Sequence, residues 1–229
     1  MGNYLIIGGS SGIGKEIKTI LRNQKETVLV ASRENKSDDP DFFSLDATKP
    51  DSFPELDYTL NGLVYCPGTI TLKPFRSLKE EDFLKDFEIN LLGAFRVLQK
   101  YLPLLQKSEK ASVVLFSTVA VGLGLPYHAS IASAKGAIEG LTRSLAAEWS
   151  PKIRVNAIAP SLTDTPLASR LLDTETKRKS TEERHPLKMV GQASDIASLV
   201  CWLLSDKSQF VTGQIWNVDG GMGSLKVGN

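Results

Sequence analysis

Gly8-Gly9-Ser10-Ser11-Gly12-Ile13-Gly14 is the stretch that decides the fold of this 229-residue chain. It follows a short apolar run, Tyr4–Ile7, and opens an amphipathic helical pattern over Ile13–Arg22. Glycines at the end of a strand permit a tight turn, and their missing side chains let the backbone approach a pyrophosphate. The following helix begins with free N–H groups and a partial positive charge, which favour a bound anion. We therefore predict a dinucleotide-binding loop with contacts from Gly8, Ser10, Ser11, Gly12, Ile13 and Gly14.

The rest of the chain alternates short β-branched runs with longer helical patterns. The predicted strands are Tyr4–Ile7, Thr27–Ala31, Phe42–Leu45, Gly62–Cys66, Ser112–Phe116, Ile153–Ala159 and Ile215–Val218. The predicted helices are Ile13–Arg22, Glu80–Leu105, Ser130–Glu148 and Ser194–Ser205. Such alternation, with nearly continuous apolar strands, is typical of a parallel sheet that helices cover on both faces. We predict one α/β domain over residues 1–229, a Rossmann-type doubly wound parallel sheet with some crossover helices shortened.

The composition argues against several classes of protein. A formal net charge of +1, from 27 basic and 26 acidic residues, gives no electrostatic footprint for nucleic acid or an anionic membrane. Apolar runs such as Val113–Phe116 are far too short to span a bilayer, and the N-terminus lacks the basic region of a signal peptide. Cys66 and Cys201 match no metal-ligand spacing and are predicted to be buried thiols. We expect a cytoplasmic chain without a metal site, a nucleic-acid partner or a membrane partner.

The end of the second predicted strand indicates which dinucleotide is bound. Val28–Arg33 contains no acidic residue that would accept hydrogen bonds from a ribose 2′-hydroxyl. Ser32 and Arg33 instead offer a hydroxyl and a guanidinium, which suit a 2′-phosphate. We predict NADP(H) as the preferred cofactor and keep NAD(H) as an alternative, since Arg33 also fits a simple surface charge beside Glu34.

Two polar stretches interrupt the pattern, Glu34–Pro40 and Leu167–Pro186. The first connects the second and third predicted strands. The second is charged and weakly helical, and it lies between a strand end and a helix, where active-site lids are commonly built. We predict a lid over residues of about 165–190, which is compatible with a solvated surface helix.

Several motifs in the right order resemble the short-chain dehydrogenase/reductase family, particularly its 3-oxoacyl-[acyl-carrier-protein] reductase-like members. The loop resembles the family's Thr-Gly-x-x-x-Gly-x-Gly, with Ile7 in place of threonine. Tyr65-Cys66-Pro67-Gly68 stands where the family has Asn-Asn-Ala-Gly, and Pro160-Ser161-Leu162-Thr163-Asp164-Thr165 resembles Pro-Gly-x-x-x-Thr. Phe210–Gly221 is close to the last-strand signature of the family.

The resemblance implies roles for individual residues. Asp46, followed by Ala47, matches the aspartate that contacts the adenine ring, and Asn90 matches the asparagine of the catalytic tetrad. Thr165 matches the threonine that contacts the nicotinamide amide. The remaining cofactor contacts that the resemblance implies are Cys66, Pro67, Gly68, Asn90, Lys135, Pro160 and Thr163.

One residue of the implied catalytic set is missing. Ala132-Ser133-Ala134-Lys135-Gly136-Ala137 fixes the family's lysine at Lys135, and counting back puts Thr118 at the serine and Ile131 at the tyrosine. In the family the tyrosine protonates the substrate oxygen after hydride transfer, and losing one general acid typically costs about 10²–10⁴ in rate. Thr118 keeps a hydroxyl, and Asn90 and Lys135 remain.

Tyr127 and His128 lie just upstream and are candidate substitutes for the missing acid. Tyr127 precedes Ile131 by four residues, which is one helical turn if the helix extends back that far. His128 carries an imidazole, a side chain that often acts as a general acid in proteins. The favoured interpretation is that Tyr127 packs at the helix entrance and His128 bonds locally, because one turn displaces a side chain by about 5.4 Å.

These observations leave two main hypotheses. The first is an NADP(H)-dependent oxidoreductase that acts on a small-molecule carbonyl/alcohol pair with an altered proton donor. The second is a non-catalytic cofactor-binding protein, either a regulator or a partner subunit of an active relative. Different chemistry on the same scaffold has no positive support, since fold alone does not fix the reaction. The resemblance also implies a homodimer or homotetramer, formed through Ser130–Glu148 and the C-terminal segment.

Overall fold

The computed structural model describes residues 1–35 and 39–226. Its strands are β1 (Asn3–Ile7), β2 (Thr27–Ser32), β3 (Phe42–Ser44), β4 (Gly62–Tyr65), β5 (Ala111–Phe116), β6 (Ile153–Pro160), β7 (Thr163–Asp164), β8 (Gly191–Gln192) and β9 (Ile215–Val218). Within the described residues, seven of them form a parallel sheet in the order β3-β2-β1-β4-β5-β6-β9, and β7 pairs with β8. The predicted α/β fold and its parallel sheet are confirmed.

Helices cover both faces of the sheet. They are α1 (Gly12–Asn23), α2 (Glu80–Phe87), α3 (Gly93–Gln106), α4 (Ala120–Leu123), α5 (Ala129–Trp149), α6 (Glu175–Arg184) and α7 (Ala193–Leu204). Helices α3 and α5 pack in one hydrophobic core, and α1 and α7 pack in the core on the opposite face. The sheet is therefore doubly wound.

The alternation of side chains along each strand explains why the strands are apolar throughout. In β1, Leu5 and Ile7 belong to one core, whereas Tyr4 and Ile6 belong to the other. All six residues of β5 are buried for the same reason. A strand with both faces covered has no solvent side and needs no polar alternation.

The strand order places a crevice between β1 and β4, where the chain winds outward in opposite directions. Ligands of open α/β sheets bind in such crevices, outside the carboxyl ends of the strands. The glycine loop leaves the end of β1, and Cys66 follows the end of β4. Residues that the sequence spreads over the chain thus meet at one edge of the sheet.

The predicted long helix Glu80–Leu105 is interrupted. Helices α2 and α3 are joined by a π-helical turn, Glu88–Leu92, which contains Asn90. The side-chain amide of Asn90 donates to the Asp86 carbonyl, the acceptor that its own backbone N–H would use in an α-helix. Local side-chain competition of this kind widens the turn, and such π-turns frequently occur at functional sites.

The connections after β2 and β3 are short, as predicted. The described part of the first contains no helix, and the second contains one 3₁₀ turn, Pro50–Ser52. The predicted polar connection Glu34–Pro40 lies partly outside the described residues, which omit 36–38. None of the described helices has the length and apolar character needed to cross a membrane.

The two cysteines, both expected to be buried thiols, differ in exposure. Cys201 is buried, whereas Cys66 as a residue is half-buried because it leaves β4 at the crevice, although its thiol group lies among protein atoms. Apolar neighbours in the sequence do not reveal that a strand end opens onto a cavity.

We expect Gly14→Ala to lower the free energy of unfolding by about 1–3 kcal/mol. A β-carbon at Gly14 would overlap the Gly8 carbonyl, lying 2.9 Å from its carbon and 3.0 Å from the Gly9 Cα. The matched control is Gly122→Ala in α4, whose added methyl group would meet nothing within 4 Å. This control should gain about 0.5–1 kcal/mol from helix propensity. Urea unfolding of both variants decides the point, and equal stabilities would contradict the close approach.

Candidate active site

A cavity of about 470 Å³ occupies the crevice at the carboxyl ends of β1, β2 and β4. Its walls come from the glycine loop, the end of β2, the segment after β3 and the segment after β4. Most predicted cofactor contacts line it: Gly8, Ser10, Ser11, Gly12, Ile13, Gly14, Ser32, Arg33, Asp46, Ala47, Cys66, Pro67, Gly68 and Thr165. The structure therefore brings these residues together around one space.

The glycine loop forms a cradle that fits a pyrophosphate. Gly8 and Gly12 adopt positive φ angles of 82° and 53°, which glycine tolerates without strain. Ser11 precedes α1 without capping it by its side chain, and the first turn of α1 carries no acidic residue. The helix terminus thus keeps its N–H groups and its partial positive charge available to an anion.

The opposite end of this cavity carries the groups expected to contact adenosine. The Asp46 carboxylate accepts from the Thr48 hydroxyl at 2.8 Å and from the Thr48 N–H at 3.0 Å. These bonds, with a further contribution from the charge of Arg33, hold the pKa of Asp46 below its usual range. Arg33 is exposed and makes no ion pair with any carboxylate in the described part of the chain. Its guanidinium is therefore available to a phosphate at the cavity rim.

A second cavity, of about 690 Å³, adjoins the first. The two share part of their walls: Ile13, Cys66, Gly68, Phe116, Thr165 and Leu167. The predicted residues Thr118, Ile131, Lys135, Pro160 and Thr163 line the second cavity. A dinucleotide in the first cavity would therefore present its far end to the second.

Lys135 is buried at this junction, with 7% of its surface exposed. Its ammonium donates to the Phe116 carbonyl at 2.8 Å. Burial lowers the pKa of Lys135 to about 8, and the negative charge of the Asp86 carboxylate opposes this shift. Ile131 is buried one helical turn before Lys135, and it also lines the second cavity with an aliphatic side chain.

The side-chain oxygen of Asn90 receives no hydrogen bond from the described residues. Its amide donates to the Thr69 hydroxyl and to the Asp86 carbonyl, both at 2.8 Å. Its Oδ1 is buried and accepts no hydrogen bond from the described residues. A β-carbon built at Gly68 would lie 3.3 Å from that oxygen and 3.6 Å from Lys135 Nζ, so both atoms flank the same glycine. An unpartnered acceptor beside an ammonium fits a ligand hydroxyl, such as that of a ribose.

Asp86 is a part of the site that sequence reasoning missed. The carboxylate is fully buried and accepts from three hydroxyls, those of Thr69 at 2.5 Å, Thr71 at 2.8 Å and Ser130 at 2.6 Å. These bonds join α2, the loop after β4 and the start of α5, and so fix the position of the helix that carries Lys135. The sequence offered one signal for this cluster. Thr69 and Thr71 follow Gly68, and Asp86 precedes Asn90 by four residues.

Thr118 has a hydroxyl that faces the second cavity. Its oxygen accepts from the Ala120 N–H at 3.3 Å, and its proton goes to no acceptor among the described residues. The neighbouring Ser117 hydroxyl is already used, since it donates to Glu139 at 2.8 Å. Thr118 therefore has the donor that can orient a substrate carbonyl.

The two candidate substitute acids differ in position. Tyr127 is 59% exposed and lines neither cavity. Helix α5 begins at Ala129, and Tyr127 has a φ of +68°, so the helical turn that would align it with Ile131 does not exist. His128 lines the second cavity, with Nδ1 2.7 Å from the Pro126 carbonyl oxygen.

The predicted lid stretch contains a 3₁₀ helix, Pro166–Leu171, and α6. Both line the second cavity on the side away from α5. Sequence reasoning also missed His185, at the end of α6, which is 2% exposed. Its Nδ1 lies 2.7 Å from the Thr181 carbonyl oxygen and its Nε2 lies 2.8 Å from Ser161 Oγ. Ser161, at the family's glycine position, was the available signal.

Comparison with known proteins identifies relatives along nearly the whole chain. A family model described as enoyl-(acyl carrier protein) reductase matches residues 8–223. The 3-oxoacyl-[acyl-carrier-protein] reductase FabG of Thermotoga maritima is 30% identical over 242 residues, which cover 95% of this chain and 96% of that one. A tropinone reductase homolog of Arabidopsis thaliana is 43% identical over 168 residues, which cover 71% of this chain but only 63% of the relative.

Solved structures share the fold. The ligand-free aldohexose dehydrogenase of Thermoplasma acidophilum is 25% identical, with a TM-score of 0.91 over 100% of this chain and 97% of that one. ElxO with NADP bound is 27% identical, with a TM-score of 0.87 over 98% of this chain and 100% of that one.

The depressed pKa of Lys135 makes folding stability depend on pH. The folded chain loses the Lys135 proton near pH 8, whereas the unfolded chain keeps it to higher pH, so stability rises with pH between these points. Below that range, Lys135→Met should raise the free energy of unfolding, by up to about 3 kcal/mol, because methionine removes a buried charge. We expect this advantage to shrink when urea unfolding is repeated near pH 10.

Lys179→Met serves as the matched control for that experiment, because Lys179 is an exposed lysine of α6. Its effect on stability should not change with pH. A Lys135→Met effect that is equally independent of pH would contradict a buried lysine with a lowered pKa.

Proposed function

This chain belongs to the short-chain dehydrogenase/reductase family, among its 3-oxoacyl-[acyl-carrier-protein] reductase-like members, and we propose that it is an NADP(H)-dependent oxidoreductase for a carbonyl/alcohol pair. The observation that carries the proposal is the junction of the two cavities, with Lys135 and Thr118 on the wall just beyond it. A fold of this type hosts many reactions, so the residues at that junction must support the function.

The preference for NADP(H) rests on the end of β2. Arg33 lines the first cavity without an ion pair in the described residues, and a guanidinium is well suited to a 2′-phosphate. Glu34 lines the same end, so the guanidinium must outweigh a nearby carboxylate. The NADP-bound structure of ElxO is a further support by analogy. Fluorescence titration tests the preference: NADPH should bind more tightly than NADH, and Arg33→Ala should remove the difference.

The residues at the junction have separable tasks. When bound, NADPH supplies a hydride to the carbonyl carbon of the substrate. Thr118 would donate a hydrogen bond to the carbonyl oxygen, and the Lys135 ammonium would stabilise the negative charge that develops there. Asn90 Oδ1 and Lys135, on either side of Gly68, would hold the ribose. Ile131 has no proton to give, so the acid must differ from the usual tyrosine.

The proposed function is tested by NADPH oxidation across a panel of ketones and 3-oxoacyl thioesters. We expect the wild-type protein to reduce members of this panel, because the groups that bind cofactor and carbonyl are present. Ile131→Tyr reinstates a phenol, and Ile131→Phe is its matched control, which adds the ring without the hydroxyl.

Turnover confined to Ile131→Tyr would favour the non-catalytic alternative, in which the chain binds its cofactor as a regulator or partner subunit. Absence of turnover in all three proteins, with NADPH still bound, would remove the carbonyl/alcohol function. If the wild-type protein turns over and Ile131→Phe raises KM without lowering kcat, the result supports a site that works without the phenol.

Further expectations from the family remain proposals of the same kind. We propose a cytoplasmic homodimer or homotetramer that is joined through α5, and a lid over residues of about 165–190. Exposed residues at regular intervals on α5, namely Gly140, Arg143, Ser144 and Ala147, leave that helix able to pack against a second copy. The panel of ketones and 3-oxoacyl thioesters identifies the class of carbonyl compound that the protein reduces.

A further inference from the structure

Ser161 is a hydroxyl-bearing residue that lines the second cavity. The residue follows Pro160 at the end of β6, and its backbone is held on both sides. Its N–H donates to the Val218 carbonyl at 3.2 Å, and its carbonyl accepts from the Thr163 hydroxyl at 3.1 Å. Because the family pattern has glycine at this position, the hydroxyl is an addition to the usual site.

His185 holds that hydroxyl in a defined hydrogen bond. A carbonyl oxygen can only accept, so the short contact with Thr181 requires that His185 Nδ1 carry a proton. In the neutral imidazole the lone pair of Nε2 then accepts from the Ser161 hydroxyl, at 2.8 Å. A hydroxyl bonded to an imidazole that a third group orients is the arrangement by which proteins activate hydroxyls.

Packing keeps the imidazole in this orientation. A β-carbon built at Gly220 would lie 3.5 Å from His185 Cδ2, in van der Waals contact with the ring. The Leu187 N–H donates to the Gly220 carbonyl at 3.2 Å and ties the segment after His185 to the same turn. The ring is thus enclosed between α6 and the C-terminal segment, with its Nε2 edge directed at Ser161.

Three other groups that line the cavity, those of Lys135, His128 and Cys66, have partners or a pKa that make them less suited to this exchange. Lys135 donates to the Phe116 carbonyl, and His128 bonds the Pro126 carbonyl. Burial raises the pKa of the Cys66 thiol to about 12, which makes it a poor acid. Among the described residues that line the cavity, His185 is the imidazole joined to a hydroxyl that also lines it.

We propose that Ser161 is the acid and base at the substrate oxygen and that His185 exchanges the proton with it, in place of the missing tyrosine. The inference rests on the oxidoreductase function proposed above. In this scheme Ser161 is the catalytic residue, and His185 acts through it.

The proton and electron balance of the step is complete. In reduction, the hydride of NADPH adds to the carbonyl carbon, and the carbonyl π electrons move to oxygen. That oxygen takes the Ser161 proton, and Ser161 takes the Nε2 proton of protonated His185, which becomes neutral. The alcohol and NADP⁺ leave, and solvent returns a proton to His185. Alcohol oxidation is the reverse, with neutral His185 accepting the proton through Ser161.

The relay is tested by the steady-state kinetics of four variants. The probes are acetoacetyl-coenzyme A and the panel ketone that the wild type reduces fastest. Ser161→Ala and His185→Gln should each lower kcat about 10²–10⁴-fold, with the KM for NADPH unchanged. The double variant should be no slower than the worse single variant, because both residues serve one step. Ser161→Thr should recover most of kcat.

The matched control is Ser169→Ala. Ser169 is an exposed serine of the 3₁₀ helix Pro166–Leu171 and does not line the cavity. It should leave kcat unchanged. Wild-type turnover that survives Ser161→Ala and His185→Gln within threefold would overturn the relay and leave the oxidoreductase function standing. A wild-type protein with no turnover overturns both.

A second readout does not depend on turnover. The chain contains two histidines, so ¹⁵N-histidine spectra of the protein with NADP⁺ are assigned by His185→Gln alone. We expect His185 as the Nδ1–H tautomer with an Nε2 acceptor. Ser161→Ala should shift the Nε2 signal and leave that of His128 in place. A His185 ring protonated only at Nε2, or one that does not respond to Ser161→Ala, would contradict the pair.

Discussion

The first turn of α1 packs so closely on the end of β1 that no side chain fits at Gly14, where a β-carbon would meet the Gly8 carbonyl. This contact turns the chain sharply and aims the free N–H groups of α1 into the crevice between β1 and β4. The strand order then carries the ends of β2, β4, β5 and β6 to the same edge. Both cavities, and the residues at their junction, depend on that placement.

In our proposal the two tasks of the site belong to two separate groups of residues that line the second cavity or flank it. Gly68, Asn90 and Lys135 form the wall toward α3 and α5, where an unpartnered acceptor and a buried ammonium fit a ribose. Asp86 anchors this wall through three hydroxyls and so holds α5 in place. None of these contacts involves Ile131. In our proposal the proton comes from the pair that Ser161 and His185 form.

Local sequence signals predicted the seven strands of the large sheet, helices α1, α5 and α7, and the glycine loop, because apolar runs and glycine spacing act over short distances. Spacing from Lys135 likewise singled out Thr118 and Ile131, which both line the second cavity. Contacts between residues distant in the sequence could not be predicted in this way. Ser161 and His185 are 24 residues apart, and Asp86 and Ser130 are 44 residues apart. Tyr127 was a poor candidate acid for a physical reason, since its positive φ puts it outside α5. The π-turn at Asn90 arises from a side-chain bond that helical periodicity does not encode.

In our proposal a hydride crosses the junction of the two cavities, although no tyrosine is among the described residues that line them. Single turnovers with NADPH deuterated at C4, in its two stereoisomeric forms, measure this directly by mass spectrometry of the alcohol. We expect one of the two forms to place a single deuterium on the former carbonyl carbon. A product without deuterium from either form, or bound cofactor that never loses its label to any ketone of the panel, would contradict the claim.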